Sequence, residues 1–252
     1  MRHVYTLLWW LVLPLLPLRL WWRGRREPGY RMNVGERFGF YRGAARVTDV
    51  LWIHAVSLGE TRAIAPLIER LQREQPAQPI LLTHMTATGR EAGRALFGDR
   101  VMQAWLPYDI PFAVRRFLDR FKPRAGLLVE TELWPNLTAA ATRRHVPLLL
   151  INARLSERSA RGYRRVASLS RQLFGALAGV AAQSEADANR LRELGAQHVV
   201  VTGNLKFDIT VTAAQRKRGA ALREMFGADR PVLMLASTRD GEEALLLDAM
   251  SK

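Results

Sequence analysis

The sequence predicts an α/β fold built on a parallel sheet, from two observations. Short apolar runs recur at intervals from residue 50 onward, and each is followed by a stretch with helical periodicity. Strand, helix, strand, repeated in that order, places parallel strands side by side with helices on both faces and right-handed crossovers.

The elements follow in chain order. The first 22 residues stand apart. Val4 to Leu18 carries no charge, Trp9, Trp10, Trp21 and Trp22 lie in or beside it, and Arg23, Arg25, Arg26 and Arg31 follow. Tryptophans beside an apolar run and a basic flank mark a membrane interface. The basic residues come after the run and no small-residue cleavage site follows, so a secretory leader is not expected. The apolar length is marginal for a full span, and Pro14 and Pro17 kink a helix. Two alternatives stay open, a single crossing with its C-terminal side cytoplasmic and an interfacial anchor. A buried core helix is the plain alternative to both.

Strands are expected at Leu51–Ala55, Pro79–Thr83, Val101–Leu106, Gly126–Val129, Pro147–Ile151, Gly179–Ala182, Val199–Thr202 and Val232–Ala236. In the first intervening helix Ile64, Leu67, Ile68 and Leu71 share one face, and Pro66 is expected to kink it. Thr88 with Glu91, Asp109 before Ile110, and Ser184 before Glu185 read as helix caps. The stretch 209–230 is helical and basic and separates the last strand from the others. The organisation predicted is an anchor at 1–22, a Rossmann-like domain at 23–210, a linker helix at 211–230 and the opening of a second domain at 231–252. One βα unit cannot bury a core of its own, so that second domain is expected to be truncated.

Composition narrows the chemistry. The chain holds no cysteine, which excludes disulfides, thiolate metal sites and a cysteine nucleophile. The formal charge is +15, and Lys122, Lys206, Lys217 and Lys252 are the only lysines among 38 basic residues. Arginine's planar fork pairs with carboxylate and phosphate, so anionic partners are expected. Nucleic acid is not among them, because no base-stacking aromatic motif accompanies the charge. No metal-binding spacing, G-x-G-x-x-G or phosphate-loop motif occurs.

Ligands of open α/β sheets bind beyond the carboxyl ends of the strands. After the first strand comes HAVSLGET, where Ser57 and Glu60 have capping-box spacing and Gly59 admits a ligand to the backbone. His54 in the same run reads as a satisfied core residue. After the fourth comes VETELWPN; if the strand persists, Glu130 and Glu132 share a face beside Trp134, as in an acid/base or sugar site. Weaker candidates are a phosphate cradle at Thr86, Thr88, Gly89 and Arg90, the basic run with Asn152, Arg154 and Ser156, and Lys206 with Asp208 beside Gly203.

HAVSLGE, ETELWPN, NARLS and TGNLKFD, in this order after an apolar anchor and GERFGFY at 35–41, closely resemble the 3-deoxy-D-manno-octulosonic acid (Kdo) transferases of lipopolysaccharide synthesis, and the resemblance runs the whole chain. It implies a GT-B glycosyltransferase with two Rossmann-like domains facing a cleft, the acceptor on the first and the nucleotide sugar on the second. It implies CMP-Kdo as donor, the lipid A precursor, a tetraacyl disaccharide bisphosphate, as acceptor, no bound metal or cofactor, and work at the cytoplasmic face of the inner membrane. Carried over by motif, Glu60 is the general base, and Glu130 and Lys206 support the transition state. Ser57, Gly59, Glu132, Asn152 and Arg154 are the implied substrate-binding residues. The CMP-binding motifs of the family lie beyond residue 252, and Arg239 stands in STRDGEE where relatives carry His. The contrasting expectation is a non-catalytic, membrane-anchored α/β module that binds acidic lipid or another anion.

Overall fold

The structure is a computed structural model and describes residues 1–43, 47–208, 211 and 213–250. Contacts divide the chain into two compact units, Met1–Ile209 and Thr210–Lys252.

The first unit opens with α1 (Arg2–Val12), a 3-10 turn at Leu13–Leu15 that holds Pro14, and α2 (Leu16–Arg26), whose first turn holds Pro17. The chain then alternates: β1 (Leu51–His54), α3 (Leu58–Ala63), α4 (Ala65–Glu74), β2 (Ile80–His84), α5 (Ala87–Phe97), β3 (Met102–Trp105), α6 (Pro111–Phe121), β4 (Ala125–Val129) and α7 (Pro135–Arg143). It continues through β5 (Leu148–Ala153), α8 (Glu157–Arg165), α9 (Ala167–Gly175), β6 (Gly179–Ala182), α10 (Glu185–Glu193) and β7 (Val199–Val201). All seven strands are parallel, in the order β3-β2-β1-β4-β5-β6-β7. The α/β parallel sheet is therefore as the sequence predicts, with strand ends moved by one or two residues.

Both faces of the sheet are covered. Trp52, Leu81 and Leu128 join one buried cluster with Val114, Phe117, Leu137 and Phe174. Their neighbours Ile53, Leu82 and Val129 join another with Ile64, Ile68 and Phe97. Successive strand residues point to opposite faces, so uninterrupted apolar runs are what a doubly covered sheet requires. The stretch predicted to kink at Pro66 is two helices: Ile64 ends α3 and caps α4, whose first turn holds the proline.

The N-terminal segment belongs to the same compact unit as the sheet. Leu16 and Leu20 are buried with Tyr30, Tyr108, Ile110 and Ala113, and Trp9 packs on Tyr108. The Thr6 hydroxyl donates to the Asn136 side-chain oxygen at 3.0 Å. The other side is apolar and exposed, with Leu7, Leu11, Leu18 and Trp22 open to solvent.

Next comes a strap, residues 28–41, clamped by a buried ion pair. Arg90 reaches Glu36 with both terminal nitrogens, at 2.9 and 3.3 Å, and Glu36 also accepts from the Trp105 backbone N–H at 2.8 Å. Arg37 is buried against the Trp105 and Tyr30 rings, its guanidinium carbon 3.9 and 5.5 Å from their centroids. Burial lowers its pKa to about 10. The flat, weakly hydrated guanidinium is the one cation that stacks this way.

Four expectations are corrected. Thr86, not Thr88, caps α5, accepting from Gly89 N–H at 3.2 Å, because only two residues separate the end of β2 from the helix. Asp109 does not cap its own helix: Ile110 occupies that position and Pro111 opens α6. Its carboxylate instead accepts from Asn136 and Leu137 N–H, at 2.8 and 2.7 Å, and so caps α7. The strand conformation stops at Val129, since Glu130 takes φ +62°. In the second unit, Val232–Ala236 forms no strand, for a strand needs a hydrogen-bonded partner; that unit holds α11 (Ala213–Phe226) and α12 (Glu242–Met250).

Candidate active site

The strand order reverses beside β1. The chain steps outward through β2 and β3, then returns to lay β4 on the other side of β1, with His54 in register with Leu128. Such a reversal leaves a crevice beyond the carboxyl ends of the two central strands, because their following loops turn to opposite faces. HAVSLGET follows β1 and ETELWPN follows β4, so the two motifs flank that crevice.

The first motif is built around Glu60. Ser57 is the N-cap of α3, accepting from Glu60 N–H at 3.4 Å. Glu60 reaches back, its Oε2 accepting from Val56 N–H and its Oε1 from the Ser57 hydroxyl, each at 2.8 Å. This is a variant of the capping box, with the carboxylate on the N–H of the residue before the cap and on the cap hydroxyl, and it holds the carboxylate in one orientation at the helix N-terminus. Burial raises the Glu60 pKa, the Val56 and Ser57 donors oppose it, and the Glu130 charge adds to the rise. A Cβ on Gly59 would meet only Ser57 Oγ, at 3.9 Å, so the space above the first turn is open to a ligand.

Glu130 and Glu132 reach the same crevice without sharing a strand face. At φ +62°, Glu130 turns the chain sharply while its N–H donates to Ile151 O at 3.0 Å. A non-glycine residue held there costs on the order of 1–3 kcal/mol, and sites of function are where such strain collects. Glu132 is pushed up to about 7, first by burial and then by the charges of Glu60 and Glu130. Burial and neighbouring carboxylate charge thus raise the proton affinity of Glu60 and Glu132, as in groups poised for proton transfer.

The expected phosphate cradle is filled by protein. The Thr86 hydroxyl donates to Val56 O at 2.8 Å, and a Cβ on Gly89 would lie 3.0 Å from that oxygen. Arg90 is committed to Glu36. This turn props the Glu60 loop from below. His54 and His84 lie beneath it, fully buried, with pKa values lowered to about 3 and about 4 chiefly by burial. Their Nδ1 atoms bond to Thr83 and Ala55, so His54 is a core residue as the sequence predicts.

Two further motifs border the crevice. Asn152 is buried at φ +49°, and its Oδ1 accepts from Leu205 N–H at 3.1 Å. The Arg154 carbonyl accepts from the Thr131 hydroxyl, which ties the β4 and β5 loops, and its side chain is exposed. Lys206 lies in a 3-10 turn at Leu205–Asp208 with its side chain exposed, while Leu205 packs on the cluster that holds Ile53 and Val129. The sequence marked GERFGFY without assigning a role to Glu36, and offered no sign that Asp109 holds the helix of ETELWPN. Among the described residues no group of three His, Asp or Glu side chains is set to hold a metal ion.

Residues 32–209 match the family model described as 3-Deoxy-D-manno-octulosonic-acid transferase (kdotransferase). The chain belongs to the Kdo transferase family. It is 45% identical to the 3-deoxy-D-manno-octulosonic acid transferase of Bordetella pertussis over 99% of its own length and 59% of that protein's. The Haemophilus influenzae transferase is 35% identical, with 98% and 58% covered, and a probable mitochondrial one from Arabidopsis thaliana is 31% identical, with 97% and 56% covered. The chain therefore spans somewhat over half the length of these relatives. A UDP-GlcNAc 2-epimerase structure from Neisseria meningitidis aligns with 73% of this chain and 53% of its own, at 19% identity and a TM-score of 0.48.

The Glu132 carboxyl gives a stability test. Its folded pKa of about 7 lies above the ordinary 4.5, so the native state favours the proton. That contribution is complete below about pH 4.5 and is lost as pH rises through about 7. Glu132→Gln is expected to match wild type near pH 4.5 and to exceed its stability at pH 8 by on the order of 2 kcal/mol. Urea unfolding at the two pH values measures this, and a difference independent of pH contradicts it.

Proposed function

We propose that the protein acts in the transfer of Kdo from CMP-Kdo to the lipid A precursor, with inversion at the Kdo anomeric carbon and Glu60 as general base. The observation that carries this reading is the Glu60 carboxylate, held by Val56 and Ser57 at the crevice where the strand order reverses. Membership of the Kdo transferase family supports the reaction type. In the step proposed, the acceptor hydroxyl passes its proton to Glu60 as its oxygen bonds to the anomeric carbon. The bond from that carbon to the CMP phosphate oxygen breaks, and CMP leaves with the electron pair.

Glu60 suits the role because burial raises its proton affinity while two donors fix its direction. Negative charge at Glu130 and Glu132 favours proton uptake at this place and stabilises an oxocarbenium-like positive charge. Lys206 answers the charge growing on the departing phosphate. Ser57, Gly59, Glu132, Asn152 and Arg154 are proposed to line the acceptor's path. The CMP portion is proposed to bind the second Rossmann-like domain of a GT-B pair, opening at 231–252. Residues 1–22 are proposed as the membrane anchor, 23–210 as the acceptor-binding domain and 211–230 as the linker between the domains.

We place the protein at the cytoplasmic face of the inner membrane as an interfacial protein. Arg2–Arg26 is long and apolar enough to cross a bilayer, yet Leu16 and Leu20 are committed to the domain while Leu7, Leu11, Leu18 and Trp22 face outward. A helix docked along one side and apolar on the other fits a bilayer surface. Arg25 stacks on Trp21 with 4.0 Å to the ring centroid, which sets a cation at headgroup depth.

Two measurements test these statements. In the full-length protein, Glu60→Gln keeps the capping box and cannot take a proton. It is expected to melt near wild type and bind the acceptor, with turnover reduced about a hundredfold or more. Turnover within about threefold of wild type removes Glu60 as the base. Serine at Leu7, Leu11, Leu18 and Trp22 together is expected to abolish flotation with anionic vesicles while leaving the far-ultraviolet circular dichroism unchanged. Undiminished flotation contradicts the interfacial assignment.

A further inference from the structure

The loop that carries Lys206 is fastened by a closed circuit of side-chain amides. It begins where β5 breaks its register with β6 between Leu150 and Ala153, at the bulge that holds Asn152 at φ +49°. Asn152 is buried, its Oδ1 accepts from Leu205 N–H at 3.1 Å, and its backbone oxygen accepts from Gln183 Nε2 at 3.0 Å. Gln183 Oε1 in turn accepts from Asn204 Nδ2 at 3.2 Å. Asn204 Oδ1 accepts from Lys206 N–H at 3.0 Å, which closes the circuit on the residue next to Leu205.

Gln183 is the member that joins the two ends. Its own N–H donates to Ala153 O at 2.9 Å, so its backbone is fixed at the end of β6. From there its amide gives one hydrogen bond to the β5 bulge and takes one from the loop after β7. Only an amide offers a donor and an acceptor at that reach; a glutamate loses the donor and a lysine the acceptor. The loop has little else to hold it. β7 is three residues long, Gly203 at φ +81° departs from it, and Phe207 and Asp208 are exposed. The circuit and the packed Leu205 side chain determine where the Lys206 backbone starts.

We infer that Gln183, acting through Asn204 and Asn152, is a positioning residue for Lys206. It touches no reacting atom. It sets the point from which the ammonium reaches the departing phosphate, and a catalytic group displaced by about 1 Å loses as much as a hundredfold in rate. The inference rests on the proposed role of Lys206.

A double-mutant cycle in the full-length protein tests it, with CMP-Kdo and the lipid acceptor as substrates. Gln183→Leu removes both amide bonds at similar volume. It is expected to lower kcat about tenfold to a hundredfold with KM for the acceptor within about threefold. Added to Lys206→Ala it is expected to change turnover by less than about threefold, because two residues that act as one unit do not multiply. Asn204→Asp keeps the acceptor for Lys206 N–H and loses the donor to Gln183. It lies on the half-buried side of the circuit, shows the same coupling, and carries the test if Gln183→Leu does not fold. Losses that multiply, or full turnover by Gln183→Leu, overturn the inference while the role of Lys206 stands. Full turnover by Lys206→Ala overturns that role itself and is read separately from the cycle.

Discussion

Everything at the candidate site depends on the reversal of strand order at β1. A parallel sheet that grew in one direction would send each strand's loop to the same side and leave no crevice between neighbours. Here β4 returns to pair with β1, and the loops after these two strands part. The motifs that carry Glu60, Glu130 and Glu132 occupy the gap. Bringing three glutamates together in a half-buried place costs free energy, and that cost is seen as raised proton affinity at Glu60 and Glu132. The fold tolerates this because the rest of the domain is a doubly covered sheet with a large apolar core.

The crevice is also braced from several sides. Gly89 lets the turn of α5 approach the Glu60 loop from beneath, and the Thr86 hydroxyl holds Val56. Glu36 and Arg90 clamp the strap to the start of the same helix. Asp109 caps α7, so the helix that follows ETELWPN is anchored to the β3–α6 connection. Asn136 takes part in this cap and receives the Thr6 hydroxyl from α1. One hydrogen bond thus joins the N-terminal helix to the last residue of ETELWPN. Burial raises the Asp109 pKa to about 6, which is the expense of placing a carboxylate under two helices to satisfy backbone donors.

Much of this was legible from residues alone, and the exceptions have physical causes. Apolar runs reported the strands, because a sheet buried on both faces has no polar positions to interrupt it. Ser57 and Glu60 reported the helix start and the carboxylate together, since the capping box is a local structure. Asp109 misled because a cap is defined by geometry: the residue stands before one helix and serves another. Thr88 misled because a threonine two residues earlier stood closer to the strand end. Val232–Ala236 has the apolar composition of a strand and pairs with no strand among the described residues. The positive φ of Glu130 and the amide circuit of Gln183 have no sequence pattern, since both depend on neighbours distant in the chain.

The most direct test of the central claim follows the carboxylates themselves. Carbon-13 NMR of the glutamate side chains can measure the Glu132 titration in wild type and in Glu60→Gln. If the two strand loops meet at the reversal as described, part of the Glu132 rise comes from the Glu60 charge. Its midpoint is then expected to move down from about 7 toward the ordinary carboxylate value when that charge is removed. A midpoint unchanged by Glu60→Gln would contradict the shared crevice.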